Sequence, residues 1–470
     1  MTLIRSQGDT LTQNRIPLAA PSVPAQTPAG LRLLASILSN PVDMWGAEHF
    51  EERIVVNATV FGHRIVVSDP DAIKRVLVDN AENYAHDDLQ RRILLRTTGR
   101  SLFSAEGDQW QWQRRLFASM FTRSRLADFA PGMAAAAAAA AARLTGKVGA
   151  PSVDISTEMA HTTLDVLTRT ILPDTLEENC ADASVSIRNF ADGAGAVSLV
   201  DLLGLPVSIP GLRRLRAFRA TRAVAARARR IVARRRKASG QQKSGASDDL
   251  VSLMLSARDP ATGEAMSERE IEDNISMFLG AGSDTVASAL TWSLYLLSQA
   301  PSFRDMIEQE IDGVIADRPM TIELVEQLPL TRAVVEEAMR LYPPALLLAR
   351  AAIRDDVLCG HEIAAGSVVM IAPWLVHRHR LLWDDPLAFD PGRFLPPRRE
   401  GIRRFSYLPF GAGPRICIGM NFAMQEAVIV LAHLLRSLRF ALAPGASVRV
   451  FQCVTLRPRG GLPMIVECRR

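Results

Sequence analysis

Ten residues near the C-terminus constrain this 470-residue chain more than any other stretch. Phe410-Gly411-Ala412-Gly413-Pro414-Arg415-Ile416-Cys417-Ile418-Gly419 sets three glycines and a proline around one cysteine, and leads directly into a helix-periodic run over residues 422–438. Such a loop is stiff and carries little bulk, so its backbone can come close to a flat macrocycle. Amide donors and a helix N-terminus just beyond Cys417 would stabilise negative charge on its sulfur. A lone cysteine in a helix-rich chain is by default an inert buried thiol. The glycines, the proline and the helix that follows argue against that default here.

The remainder of the chain can bury a large core, since 48% of its residues are apolar. Length alone suggests two or three domains. The 55 Lys and Arg against 50 Asp and Glu leave +5, too small an excess to imply nucleic-acid binding. Cys180, Cys359, Cys417, Cys453 and Cys468 are an odd count without close spacing, which suggests neither a disulfide framework nor a zinc site and fits a reducing cytoplasm. The first thirty residues hold no apolar run long enough for a signal-peptide core or a transmembrane anchor. Pro17, Pro21, Pro24 and Pro28 mark residues 1–30 as an extended arm that ends where apolar periodicity begins at Leu31.

Residues 53–68 and the tail from Val448 read as strands, and nearly everything else as helix. The alanine run over residues 134–142 has high helix propensity and no side-chain chemistry. Residues 212–237 carry eleven arginines and no acid, with Leu215, Phe218, Val224, Ile231 and Val232 spaced for one apolar helix face. This is a basic amphipathic helix, read first as a solvated face, with a membrane surface or an acidic partner as the alternative. Residues 240–247 read as a flexible loop, after which Asp248 or Asp249 caps a helix continuing through Leu253.

The cysteine loop resembles the haem-binding loop of the cytochrome P-450 family, Phe-x-x-Gly-x-Arg-x-Cys-x-Gly, at Phe410, Gly413, Arg415, Cys417 and Gly419. The resemblance makes Cys417 the axial ligand of a haem b iron, with Phe410 beside the sulfur, Gly411 and Gly419 in the haem-binding loop, and Arg415 reaching a haem propionate. Further segments agree in chain order. Trp110 and Arg114, one helical turn apart, look like the family's Trp-x-x-x-Arg pair for a propionate. Ala281-Gly282-Ser283-Asp284-Thr285 breaks the apolar pattern of a helical run with a glycine and an acid, where a kink satisfied by Asp and Thr is the ordinary reading. In the family this pattern opens a groove over the haem, with Ala281 against it and with Asp284 and Thr285 relaying protons for oxygen activation. Glu337 and Arg340 resemble the family's Glu-x-x-Arg pair, which locks onto an arginine, here Arg393 of Pro391-Gly392-Arg393-Phe394. Gly392 stands where the family often has glutamate. Arg350 is the candidate for the second propionate, with Arg354 the weaker one.

The resemblance runs from residue 53 to the C-terminus. It implies a mainly α fold, a triangular helical prism with small β-sheets, as a single domain over residues 31–470, the haem buried between the helix of Asp284 and the cysteine loop. The implied activity is a monooxygenase that inserts one atom of O2 into a hydrophobic small-molecule substrate. Only residues 420–470 follow the loop, too few for a reductase domain, so electrons are expected from a separate ferredoxin-type donor with its own reductase. Arg398, Arg399, Arg403 and Arg404 are candidates for docking it, or else form a solvated basic loop. Pocket walls are expected from residues 91–103, Phe278, Ala281, residues 346–348 and the turn near Thr455. A peroxide-driven haem-thiolate oxidase would share Cys417 but usually lacks the acid and alcohol at 284 and 285, and a non-catalytic haem sensor would need neither a relay nor an apolar pocket.

Overall fold

The computed structural model describes residues 16–17, 23–59, 62–173, 180–202, 212–241, 249–315 and 318–469. Its frame is built from helices α1 (Gly107–Ala118), α2 (Arg123–Thr145), α3 (Ile155–Arg169), α4 (Cys180–Gly195), α5 (Leu212–Gln241), α6 (Glu268–Gln299), α7 (Pro329–Leu341) and α8 (Met420–Ser437). The longest, α6, starts at a capping box: Ser267 Oγ accepts from the Glu270 amide and Glu270 returns the bond to the Ser267 amide. It runs through the main core and packs on α3, α5, α7 and α8. The alanine run acquires a packing reason. Ala136, Ala137 and Ala140 are fully buried, and their small side chains let α2 and α8 pack closely.

Within residues 53–68, β1 (Ile54–Thr59) pairs antiparallel with β2 (Gly62–Val67). It belongs to a five-stranded sheet completed by β3 (Tyr84–Ala85), β4 (Leu348–Ala352) and β5 (Val368–Ile371), in the order β1-β2-β5-β4-β3. The β2–β5 pair is parallel, with Ile65 opposite Val369, and the other pairs are antiparallel, with Arg350 opposite Val369 across β4 and β5. These later strands go beyond the sequence reading. A two-residue strand and one spelled Leu-Ala-Arg-Ala-Ala carry too few β-branched residues to announce themselves. In the tail, Val450–Gln452 pairs with Leu456–Pro458, and Pro463–Cys468 pairs with Leu438–Leu442.

Helix α5 forms as expected, with Val224, Ile231 and Val232 buried, but Phe218 is 55% exposed and leaves the apolar face. The side chain of Leu215 lies outside the described residues, as do residues 242–247 of the expected loop, whose start at Gly240 is still helical, and the alternative cap Asp248. Asp249 caps Leu250–Ser256, accepting from the Ser252 amide at 2.8 Å. In the N-terminal arm, Ile16–Pro17 pairs with Ala388–Phe389 and a helix spans Gly30–Ser39, while residues 1–15 and 18–22 lie outside the description. No helix among the described residues is long and apolar enough to cross a membrane.

One charged cluster sits wholly inside. Arg340, fully buried on α7, donates to both carboxylate oxygens of Glu337 at 2.6 and 2.8 Å and to the carbonyls of His377, Pro386 and Ala388. Arg393 approaches the same carboxylate at 3.6 Å and donates to the Asp385 carbonyl. All five guanidinium protons of Arg340 are donated, which is what a buried ion pair requires to repay its desolvation. Gly392 contributes only backbone, accepting from Leu395, so the family's usual glutamate is not needed for this lock.

Candidate active site

The cysteine loop is fixed by its own backbone. The Cys417 amide donates to the Phe410 carbonyl at 2.9 Å, and Ile416 to Gly413 at 3.1 Å. Gly413 has φ of 72°, and a Cβ there would lie 1.7 Å from the carbonyl oxygen of Leu77, so glycine is required on both counts. The Gly419 amide, at the cap of α8, acts on the Cys417 sulfur in the direction that favours its thiolate. Burial pushes the thiol up, opposed by that amide and by the Arg114 charge. Cys417 lies deep among protein atoms, yet its own surface is uncovered.

Around it, positive charge is crowded. Arg350 of β4 is 8% exposed and donates only to its neighbour's carbonyl, Ala349, at 2.8 Å. Burial, then the repulsion of Arg415, bring its guanidinium down to about 10. Arg415 donates to the Ala105 carbonyl at 3.0 Å and stacks 4.6 Å over the Trp110 ring. Arg114, half-buried and lowered by burial, is close enough to Cys417 for each to feel the other's charge. His86 joins this group, its Nδ1 buried without a hydrogen-bond partner and 3.7 Å from Glu106. Burial and the charges of Arg350 and Arg415 push it down to about 3, so it is neutral. Arg354 is exposed, which leaves Arg350 as the inward-facing arginine of this strand.

Helix α6 passes through the glycine and acid of residues 281–285 without a break. Gly282 is small because α3 crosses there: a Cβ would meet Leu167 at 3.1 Å. From Ser283 to Leu294 every residue is buried except Thr285, which with Gly280, Ala281 and Gly282 forms a half-covered strip in the middle of the helix. Thr285 Oγ1 donates to the Ala281 carbonyl at 2.8 Å. Asp284 does not bond Thr285. Its Oδ2 accepts from Thr455 at 2.5 Å, and Arg457, ion-paired to Asp192, stands 3.9 Å from Oδ1. Burial raises the Asp284 carboxyl, opposed by Thr455 and by the charge of Arg188. The turn bearing Thr455 is pinned to the same helix because Ser288 and Trp292 both donate to the Leu456 carbonyl.

The family model for cytochrome P-450 matches residues 57–462. The chain belongs to the cytochrome P-450 family. Cyclooctatin synthase of Streptomyces melanosporofaciens is 32% identical over 401 residues, covering 85% of each chain. Cyclooctat-9-en-7-ol 5-monooxygenase of the same organism is 31% identical, covering 85% of each. Among solved structures, the cytochrome P450DA heme domain superposes with a TM-score of 0.78 at 22% identity, covering 97% of both chains, and retinoic acid-bound cyanobacterial CYP120A1 with 0.76 at 24% identity, covering 89% of this chain and 92% of that one. The fold is therefore the P-450 fold, and the enzyme class is that of oxidoreductases.

Membership implies a haem-iron cofactor, and the residues present fit one. An uncovered sulfur lies inside the protein, and three arginines with an unpartnered histidine face mainly Asp87, Glu106 and Cys417. A planar group carrying two carboxylates on one edge and a thiophilic metal at its centre satisfies both features. Sequence reasoning missed His86, which no motif singles out, and the tie between Thr455 and Asp284, which is 171 residues long. Of the expected pocket walls, Phe278 is buried, packs edge-on to Phe117 and stacks on Phe121. Three of the four arginines proposed to dock an electron donor are engaged within the protein: Arg398 with Asp390, Arg399 with Glu336 and Arg403 with Asp71. Arg404 lies over the Phe405 ring.

Proposed function

We propose that this cytochrome P-450 holds haem b through Cys417 and inserts one oxygen atom from O2 into a hydrophobic small molecule. The observation that carries the reading is that Arg114 lies within reach of the Cys417 charge while Arg350, Arg415 and His86 crowd one another, Arg415 being two residues from that cysteine. Cys417 would ligate the iron, with Phe410, Gly411 and Gly419 shaping the loop beneath it. Arg350, Arg415, Arg114 and His86 would take the propionates, and Trp110 would hold Arg415 in place from its ring face. Ala281 and its half-covered neighbours would border the haem from α6. When bound, the haem iron supplies the activation of dioxygen.

The chain's own part is proton management and exclusion of water. Thr285, on the half-covered strip, would present its hydroxyl to the reacting oxygen, and Asp284 would hold a proton beside it. Thr455 orients that carboxyl, and burial raises it above the ordinary carboxylate range, which favours holding a proton. This acid and alcohol favour a monooxygenase over a peroxide-driven oxidase or a haem sensor. A hydrophobic substrate is supported by the relatives that act on a cyclooctatenol and on pentalenene. A ferredoxin-type donor with its reductase would supply electrons.

The test is spectroscopic. The reduced carbonyl adduct is expected to show the red-shifted Soret band of thiolate ligation, and Cys417→His to move it to the position of imidazole ligation. An adduct of the imidazole type in the unsubstituted protein overturns the reading. Screening apolar compounds for a low-to-high-spin change then finds the substrate class.

A further inference from the structure

The protein's basic character resides in one helix. Twelve of its 55 Lys and Arg lie within the 30 residues of α5, which contain no Asp or Glu, and the rest of the chain holds 43 against 50 acids. Without α5 the molecule would be acidic. Helical geometry sorts the side chains that are described. Ala217, Val224, Arg227, Ala228, Ile231 and Val232 are buried against α4 and α6, while Phe218, Arg219, Arg222, Arg229 and Lys237 are exposed. At 100° per residue the exposed set falls on one face, opposite the buried stripe.

We propose that this face adsorbs the protein to an anionic lipid surface. From Arg219 to Lys237 it extends about 27 Å at the helical rise, a line of cations with no acid on the helix itself. Among the described residues, Glu272 of α6 feels Arg229, Glu268 pairs with Arg236 and Asp249 pairs with Arg235. Phe218 projects from the same face, 55% exposed, with the Arg222 guanidinium 5.5 Å over its ring. An aromatic ring among arginines suits the headgroup boundary, where the ring meets acyl chains and the cations meet phosphates. Nucleic acid is the poorer fit, because its phosphates would engage the cations but leave the exposed Phe218 ring without an apolar medium. An acidic protein would leave Phe218 without a purpose unless it brought a matching pocket. Adsorption of this kind is reversible and electrostatic, consistent with the lack of a membrane-crossing helix among the described residues.

The test uses the full-length haem-loaded protein and co-sedimentation with phosphatidylcholine vesicles, with and without an equal share of phosphatidylglycerol. Binding is expected only with phosphatidylglycerol and is expected to fall about tenfold or more from low to high salt. Arg219→Gln, Arg222→Gln, Arg229→Gln and Lys237→Gln together should abolish it. Arg115→Gln, Arg123→Gln, Arg436→Gln and Arg449→Gln, which remove equal charge elsewhere on the surface, should leave it intact. Phe218→Ser should weaken binding that remains at high salt. Equal loss in both quadruple variants would assign the effect to net charge and overturn the proposal. So would tight binding to duplex DNA or to an acidic protein with none to the anionic vesicles. Unchanged carbonyl spectra in all variants establish that folding and the haem site are intact.

Discussion

Thr455, in the turn that precedes the strand Leu456–Pro458, donates a 2.5 Å hydrogen bond to Asp284 at the buried centre of α6. Removing that donor leaves the carboxyl with the desolvation that already raises it and less to hold its direction. Thr455→Val is expected to lower product formed per reduced pyridine nucleotide by about tenfold, within the range for a misplaced proton donor. Thr455→Ser should restore it. The substrate-induced spin change should stay as it is, which separates positioning of Asp284 from damage to the pocket.

Thr285 rests on the Ala281 carbonyl in this structure, so its hydroxyl proton is already committed and its lone pairs are not. Thr285→Ala is expected to uncouple reduction from product and release peroxide, again by about tenfold or more. Measuring peroxide and product against reductant consumed decides the matter. Coupling equal to the unsubstituted enzyme would take Thr285 out of the reaction.

Glycine makes a sharper structural test. Gly413 and Gly445 have nearly the same φ, 72° and 74°, but a Cβ at 413 strikes the Leu77 carbonyl whereas at 445 it meets open space. Gly445→Ala should therefore cost about 1–2 kcal/mol, the left-handed penalty alone. Gly413→Ala should cost about 4 kcal/mol or more and reduce haem content, because backbone must move beside Cys417. Thermal unfolding and haem-to-protein ratio report the two quantities.

What the sequence showed and what it hid divide along chain distance. Cys417 and its glycines, Trp110 with Arg114, and Glu337 with Arg340 lie within one loop or one helical turn, so their spacing is visible in the letters. The lock of Arg393 onto Glu337 was reachable only through resemblance. His86 was silent, because its relevance depends on β3 pairing with β4 and bringing residue 86 near Arg350. Asp284 was legible as a buried acid, but its partner was not, because Thr455 arrives from the far end of the chain. The ion pairs of the arginines at 398, 399 and 403 were hidden for the same reason: only folding brings up Asp390, Glu336 and Asp71.

Glu337 offers a test of charge without change of shape. Gln at this position keeps the side-chain volume but leaves Arg340 and the adjacent Arg393 as buried cations without their carboxylate. The expected loss is about 3–5 kcal/mol, the typical result of deleting one partner of a buried pair. Denaturant unfolding of the haem-loaded protein measures it. A loss below about 1 kcal/mol, the scale of exposed pairs, would show that water reaches the cluster.

Asp356 ties the region before His86 to the hairpin Asp356–Leu358 and His361–Ile363, and it sets an acid limit on stability. Burial alone would raise its carboxyl. Arg75, the Val357 amide, Asn80 at 3.0 Å and Tyr84 at 2.9 Å outweigh burial and bring it down to about 2. A carboxylate whose folded value lies below its unfolded value of about 3.9 stabilises the fold fully above that value, and the contribution disappears as pH falls toward the folded one. Stability should therefore decline between about pH 4 and pH 2, with Asp356 carrying part of the slope. Asp356→Asn should lose about 1–3 kcal/mol at neutral pH, since Arg75 and Tyr84 keep their donors without the charge they were arranged around. The variant should also unfold with a shallower dependence on acid, read from urea midpoints across that range. A slope identical to that of the unsubstituted protein would mean the carboxylate is already paired to the same extent in the unfolded chain.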